Sequence, residues 1–184
     1  MKVNENLIVG DSNKTLNDLV NILPFFNMFN FETKEQYGAK WLKIYYTNSK
    51  SGSVLWDNLG ELSFSFQNYK WSILGLIDNL YNSTYGGFEF LLEYPSIGKH
   101  NRWRQTSNPL RTKESVTGYS AVDIQMTENN WGGLSRSSDG NTFIDGSPTA
   151  ATWYYAIGQK AAYQGGIPSS EAVVQEVYLW LRIG

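Results

Sequence analysis

Short runs of alternating apolar and polar residues recur along the chain after residue 36. Five runs carry this pattern: residues 41–47, 61–67, 88–94, 120–126 and 173–183. A period of two predicts β-strands that each bury one side. The expected buried sides include Phe88, Phe90, Leu92 and Tyr94 in the third run, and Val122, Ile124 and Met126 in the fourth. Because turn-forming residues separate the runs, the sequence predicts an all-β fold, an antiparallel β-sandwich of jelly-roll-like form.

The first thirty residues follow a different pattern, typical of a short strand and a short helix. An extended strand is predicted over residues 2–9. Beyond it, apolar residues recur at helical spacing, namely at Leu16, Leu19, Val20 and Leu23. Ser12 or Asn13 can cap this helix, and Pro24 limits it to about two or three turns.

These patterns divide the chain into two parts. A helix of about three turns is marginal alone in water, so its apolar stripe needs a partner surface. We therefore expect residues 1–30 to form a shaft or oligomerisation segment and residues 31–184 to form the head. Within the head, residues 71–80 are compatible with either a buried strand or a helix that Gly75 weakens.

Composition restricts the possible partners. Charged residues make up 17% of the chain, below the roughly 25% of an average soluble domain, and the net charge is -2. The longest basic stretch, residues 102–104, is too short for the basic stripe that nucleic acid requires. The absence of cysteine excludes disulfides and Cys-ligated zinc. The first ten residues have no apolar core typical of a secretory signal, and no run reaches about eighteen apolar residues, so membrane insertion is not expected.

Aromatic residues are abundant, with seven Trp and twelve Tyr among 184 residues. Such rings combine apolar area with a polar tip, which suits binding surfaces as well as β-cores. Trp131 is the most suggestive, because Asn130 precedes it and two glycines follow it. We predict a ligand-binding set of Trp131, Asn130, Tyr163 and Asp139. Trp103, Trp153 and Trp180 are expected to serve mainly in packing.

The sequence offers little catalytic machinery. His100 is the one histidine, and we expect it to make a structural hydrogen bond, although three copies at a threefold axis could bind an ion. Asp123, Glu128, Asp139 and Asp145 could supply the carboxylate pair of a glycosidase, but they lie where turns normally use aspartate. Residues 102–109 form either a polar cradle for carboxylate or sugar, or a strand end followed by a turn. The strand interpretation places Trp103 in the core.

Six motifs follow one another towards the C-terminus: RWRQTSNPL, NNWGGL, TFIDGS, WYYAIG, GGIP and VYLWLRI. In this order they resemble the C-terminal domain of bacteriophage tail fibres and phage-like adhesive fibres. The opening, VNENLIVGDSNKTLNDLVNIL, is similar to the repetitive shaft segments that precede such tips. The resemblance covers most of residues 86–184 and the first twenty residues, but not residues 30–85. It implies a homotrimer whose head contacts a glycan or protein on a host surface.

The leading hypothesis is a non-enzymatic receptor-binding fibre tip that recognises a host cell-surface saccharide or protein. It implies a virion tail fibre or another extracellular fibre, assembled in the bacterial cytoplasm. No cofactor, metal, nucleic acid or catalytic residue is expected. Two alternatives stay open: a glycan depolymerase that uses paired carboxylates, and a structural joint or cap protein of a particle.

Overall fold

The computed structural model describes part of the chain: residues 8–9, 14–15, 32–48, 63–65, 70–80, 86–113, 115–138, 142–147, 154–159, 174 and 176–184. These residues form thirteen strands: β1 (Ile8–Val9), β2 (Lys14–Thr15), β3 (Thr33–Gln36), β4 (Ala39–Asn48), β5 (Ser63–Ser65), β6 (Lys70–Ser72), β7 (Phe88–Tyr94), β8 (Lys99–Gln105), β9 (Ser120–Ile124), β10 (Ser135–Arg136), β11 (Thr142–Asp145), β12 (Ile157–Gln159) and β13 (Glu176–Arg182). Three 3-10 helices accompany them: Leu74–Leu80, Pro95–Ile97 and Glu128–Asn130. The described residues contain no α-helix, and none of their helices is long and apolar enough to cross a membrane. The fold is all-β, as the sequence predicts.

Every pair of these strands is antiparallel. The largest sheet has the order β5-β6-β4-β13-β7-β8-β9, and β3 pairs with β4 on the edge that β4 shares with β6. The C-terminal strand β13 lies between β4 and β7, so it joins the first and middle parts of the described chain. Strands β10, β11 and β12 form a smaller sheet, and β1 pairs with β2.

One face of the large sheet carries the main core. The buried residues of this face include Leu42, Ile44, Phe88, Phe90, Leu92, Tyr94, Trp103, Val177, Leu179 and Leu181. Ile144 of β11 and Ile157 of β12 belong to the same buried cluster, as do Leu74 and Ile77 of the first 3-10 helix. The small sheet and this helix therefore pack against the large sheet, and removal of this apolar surface from water is the main stabilising term.

The opposite face of the large sheet is called the charged face below. It carries Lys43, Glu89, Leu91, Glu93, Arg102, Arg104, Trp180 and Arg182. Glu89 is only 2% exposed, and its carboxylate lies 2.9 Å from Arg104 Nε and 3.1 Å from Arg182 Nη1. Arg102 Nε is 3.6 Å away. Burial of a carboxylate is costly unless charged partners surround it, so the four side chains form one unit.

Aromatic rings and lysines cover the rest of the charged face. Trp180 donates its indole N–H to Glu93 Oε2 at 2.6 Å, and Lys34 Nζ lies 2.6 Å from Glu93 Oε1. The ammonium of Lys34 is 4.2 Å from the centre of the Trp180 ring, while that of Lys43 is 4.2 Å from the Tyr178 ring. These cation–π contacts allow two lysines to lie over an aromatic surface.

The hairpin of β3 and β4 extends over the charged face. Its turn residues, Tyr37 and Gly38, both have left-handed backbone angles, with φ of 54° and 67°. This geometry is that of a type I′ turn, which matches the twist of a two-stranded hairpin. Although β13 and β7 separate β4 from β8 in the sheet, Tyr37 contacts Arg102 of β8.

The structure confirms several predicted strands and corrects two expectations. Strand β7 has the predicted bounds and the predicted buried side. Val122 was expected in the core but is 36% exposed, because an irregularity in the pairing of β8 with β9 shifts the register beside it. Lys14 and Thr15 were expected to begin a helix, but they pair with β1 as a strand. The rest of that predicted helix, residues 16–23, lies outside the described residues.

Candidate functional site

Trp131 is packed from several directions at the edge of the core. Its ring meets those of Trp103 and Tyr155 in edge-to-face contacts, each with centroids 4.8 Å apart. Gly146 also lies against it, since a Cβ placed there would come within 2.7 Å of Trp131 Cζ3. The ring is therefore half-buried and fixed in orientation, and only part of it reaches the surface.

The buried side-chain amide of Gln105 supports the cluster of Trp103, Trp131 and Tyr155. Gln105 is 1% exposed, and its Oε1 accepts hydrogen bonds from Trp103 Nε1 at 2.8 Å and from the Leu134 N–H at 3.0 Å. Its Nε2 donates to the carbonyls of Ser107 and Leu134. Every polar atom of the side chain has a partner, so Gln105 links β8 to the segment that follows Trp131.

The segment before Trp131 has an unusual backbone. Asn129 and Asn130 are both left-handed, with φ of 55° and 57°, a conformation that asparagine tolerates better than most residues. The hydroxyl of Tyr155 donates to the Glu128 carbonyl at 2.7 Å and anchors the turn. Gly132 N–H donates to the Gly146 carbonyl on the other side of Trp131. Asn130 is exposed, and hydrogen bonds at Glu128 and Gly132 fix the backbone on both sides of it.

Tyr119 completes the exposed part of this surface. It is 37% exposed, and its hydroxyl oxygen accepts the indole N–H of Trp131 at 3.1 Å. Partial burial raises the pKa of the Tyr119 hydroxyl, although the hydrogen bond from Trp131 opposes this. The phenol therefore keeps its proton at neutral pH and can donate it to a ligand. Tyr119, Asn130 and Trp131 together are called the Tyr119–Trp131 surface below.

The predicted binding residues are only partly described. Trp131 and Asn130 are adjacent, whereas Tyr163 and Asp139 lie outside the described residues. Sequence reasoning missed Tyr119, because it is twelve residues from Trp131 and only the fold brings the two side chains together.

Two of the candidate carboxylates are bound by the protein itself. Asp145 is 8% exposed, and its Oδ1 accepts the backbone N–H groups of Ser147 and Tyr154 at 2.8 and 3.0 Å. Asp123 Oδ2 lies 2.8 Å from His100 Nε2, which matches the structural hydrogen bond expected for that histidine. Both are arrangements that fix local structure.

The segment of residues 102–109 follows the strand interpretation. Trp103 is fully buried in the core, while Arg102 and Arg104 lie on the charged face. Asn108 then forms a turn in which its Oδ1 accepts the Leu110 N–H at 2.8 Å. Trp180 is also buried, as predicted, and Trp153 lies outside the described residues.

Comparison of this chain with known proteins finds no relative. No protein-family model, curated protein or solved structure matches this chain. Within the described ranges, no group of three or more His, Asp or Glu side chains is placed to hold a metal ion.

Proposed function

We propose that the protein is a non-enzymatic receptor-binding module that recognises a cell-surface saccharide through the Tyr119–Trp131 surface. The observation that carries the proposal is the pairing of an exposed tyrosine with a fixed tryptophan beside an exposed asparagine. Sugar-binding surfaces need an apolar ring face for the sugar's C–H groups and amide or hydroxyl groups for its hydroxyls. Tyr119 and Trp131 offer the first, and Asn130 and the Tyr119 hydroxyl offer the second.

The rigidity of the surface supports binding. Trp131 is held by the rings of Trp103 and Tyr155, and the backbone beneath it is held by Gln105. A surface that is already ordered loses little conformational entropy when a ligand binds. Even a small contact area can then give a measurable affinity.

The state of the carboxylates favours binding over hydrolysis. A glycosidase needs two carboxyl groups that face a common cleft. Asp145 is engaged by two backbone N–H groups, and Asp123 is paired with His100. The depolymerase alternative is tested by incubating the protein with host capsule and measuring released sugar, and release that disappears in Asp139→Asn would favour it.

The fibre interpretation belongs to the same proposal. A trimeric tip with a jelly-roll-like sandwich head, on a virion or extracellular fibre, would present three copies of the Tyr119–Trp131 surface. Avidity would then strengthen sites that are individually weak, of about millimolar to micromolar affinity. Native mass spectrometry of the whole chain tests this part separately, and a monomer at micromolar concentration would contradict it.

A glycan array followed by titration tests the binding site. The whole chain is applied to arrayed bacterial and mammalian saccharides, and the best ligand is titrated against variants. Tyr119→Phe removes one hydroxyl and should weaken binding about fivefold, while Tyr119→Ala also removes the ring and should weaken it more than about tenfold. Asn130→Gly removes the amide but keeps the left-handed backbone accessible.

The matched control is Tyr178→Phe, which makes the same change on the charged face. It should bind as the unmodified protein does. If Tyr119→Phe and Asn130→Gly both bind normally, or if the isolated protein binds neither saccharide nor host cells, the proposal is wrong. The second result would favour a structural joint or cap protein.

A further inference from the structure

Lys113 and Arg136 lie side by side in the fold although they are distant in the sequence. They form an isolated β-bridge of parallel orientation, in which the Arg136 N–H donates to the Thr112 carbonyl at 2.8 Å. Residues paired across neighbouring strands are separated by about 5 Å and point their side chains to the same side. Both side chains are exposed, so the bridge places two positive charges next to each other at the surface. The two residues are called the Lys113–Arg136 pair below.

The backbone of both members of the pair is fixed by the fold. Just before Lys113, the Asn108 carbonyl accepts the Thr112 N–H at 3.0 Å and closes a turn. Arg136 belongs to β10, and its partner in β11 is Ile144, which is buried in the main core. The two charged side chains are therefore held in adjacent positions.

Within the described ranges, no acidic side chain forms an ion pair with Lys113 or Arg136, whereas the other four arginines of the chain all have an acidic partner. Asp145 lies opposite Ser135, the neighbour of Arg136, but it is 8% exposed and its Oδ1 accepts two backbone N–H groups. Like charges directly opposite each other in a sheet are destabilising. An anion from solution is therefore the partner that this pair favours.

The Lys113–Arg136 pair lies near the Tyr119–Trp131 surface. Arg136 follows Trp131 by five positions. An extended chain spans at most about 3.6 Å per residue, so their Cα atoms are no more than about 18 Å apart. The two segments also meet closer to the surface, because a Cβ placed at Gly133 would lie 3.1 Å from Val116 Cγ1 and from Tyr119 Cδ2. An oligosaccharide of a few units can therefore contact both places.

We propose that the Lys113–Arg136 pair binds a phosphate group, and that the ligand of this protein is a phosphate-bearing saccharide. The guanidinium fork of Arg136 matches two phosphate oxygens, and the ammonium of Lys113 adds a second positive charge. A phosphate monoester has three terminal oxygens and nearly two negative charges, so it can satisfy both cations at once. A carboxylate has two oxygens and one charge, and it fits the pair less well. The choice of a saccharide rests on the proposed function, but the phosphate site itself does not.

Side-chain NMR of the whole chain tests the site directly. Glucose 1-phosphate is titrated at constant ionic strength while the Nε–Hε signals of arginine are recorded, with glucose, sodium acetate and inorganic phosphate as separate probes. Glucose 1-phosphate and inorganic phosphate should shift the Arg136 signal, each with a dissociation constant of about a millimolar. Glucose should leave this signal unchanged, and acetate should bind at least about fivefold more weakly because it carries one charge.

Variants separate a specific site from general surface charge. Arg136→Gln and Lys113→Gln should each weaken glucose 1-phosphate binding about tenfold, because each removes a charged donor. Neither should lower the melting temperature, since each removes one of two like charges that repel. The matched control is Lys99→Gln, which alters an exposed lysine on β8 and should bind as the unmodified protein does.

Four results would overturn the proposal. The first is that glucose 1-phosphate does not shift the Arg136 signal. The second is that acetate binds as tightly as glucose 1-phosphate, and the third is that Lys99→Gln weakens binding as much as Lys113→Gln. Either would show a general attraction of anions to surface cations. The fourth is that a single-stranded oligonucleotide binds far more tightly than any arrayed phosphorylated saccharide, which would assign the phosphate to nucleic acid.

The glycan array distinguishes failure of this site from failure of the proposed function. Arg136→Gln should lose phosphorylated saccharides and keep the binding of neutral ones that depends on Tyr119. If the array shows binding that depends on Tyr119 but no preference for phosphate, this inference is wrong and the proposed function stands. If glucose 1-phosphate binds at Arg136 but no saccharide binding depends on Tyr119, the phosphate site stands and the proposed function is wrong.

Discussion

The side chain of Gln105 pairs with the backbone of Leu134 in the manner of a neighbouring strand, accepting its N–H at 3.0 Å and donating to its carbonyl at 2.9 Å. The two residues are 29 positions apart in sequence. One buried amide thus aligns the segment after Trp131 with the end of β8, and the candidate site depends on it.

Gln105→Leu should destabilise the protein by at least about 3 kcal/mol, because it leaves several buried groups without hydrogen-bond partners. These groups include the Trp103 indole N–H and both backbone groups of Leu134. Urea denaturation followed by tryptophan fluorescence measures the loss. In the unmodified protein the side-chain amide of Gln125 makes only an exposed contact, with the His100 N–H. Gln125→Leu is therefore the control and should destabilise the protein by less than about 1 kcal/mol. Equal losses in the two variants would show that Gln105 has no special role.

Gly146→Ala tests the packing around Trp131. The new Cβ would lie 2.6 Å from Tyr155 Cβ and 2.7 Å from Trp131 Cζ3, so at least one ring has to move. Overpacking of this kind costs about 1–3 kcal/mol, and the shifted indole should also weaken binding at the Tyr119–Trp131 surface. Thermal unfolding and saccharide titration measure the two effects. Gly184→Ala, which only approaches Lys40 Cβ at 3.4 Å, serves as the control and should change neither.

Features that depend on local sequence pattern could be predicted, whereas features that depend on contacts between distant residues could not. Strand β7 was predicted with its bounds and buried side, because alternation is a local property. The turn at Tyr37 was missed, since a tyrosine with positive φ lacks the Asn-Gly signal of such turns. The expectation for Val122 was wrong because the register of β9 depends on its pairing with β8.

The candidate site shows the same limit. Trp131 and Asn130 are predicted as binding residues from their neighbours in the sequence, and their role stays a prediction. The neighbours that orient Trp131, namely Trp103, Gly146 and Tyr155, are 15 to 28 positions away, and no local pattern links them to it. The arginine cluster around Glu89 was likewise missed, because its members come from three strands.

Glu89→Gln tests that cluster. The amide keeps the shape of the carboxylate but leaves three guanidiniums without their shared negative charge. We expect a loss of about 3–5 kcal/mol, as for other buried charges that lose a partner. The loss should shrink at about 1 M salt, because ions screen the repulsion between the partly exposed arginines. Urea denaturation at low and high salt measures it. Glu35→Gln, an exposed change on β3, should alter stability by less than about 0.5 kcal/mol at either salt concentration.

The charged face should also limit stability at alkaline pH. Partial burial and the neighbouring carboxylate of Glu176 raise the pKa of Tyr178 from 10.0 to about 12. In the unfolded chain the Tyr178 phenol loses its proton near pH 10, while the folded protein retains it up to about pH 12. Between these two pH values the unfolded state therefore binds fewer protons than the folded state. The stability that Tyr178 contributes is therefore fully present below pH 10 and is lost as the pH rises towards about 12.

Thermal unfolding at a series of pH values from neutral to alkaline measures this dependence. Tyr178→Phe cannot ionise, so it should lose less stability than the unmodified protein between pH 10 and about 12. The effect should be modest, because Tyr178 is only half-buried and water screens its charge. The two proteins should keep a constant difference in melting temperature at lower pH. If that difference stays constant through the alkaline range as well, the Tyr178 phenol titrates alike in both states and the burial argument for its raised pKa is wrong.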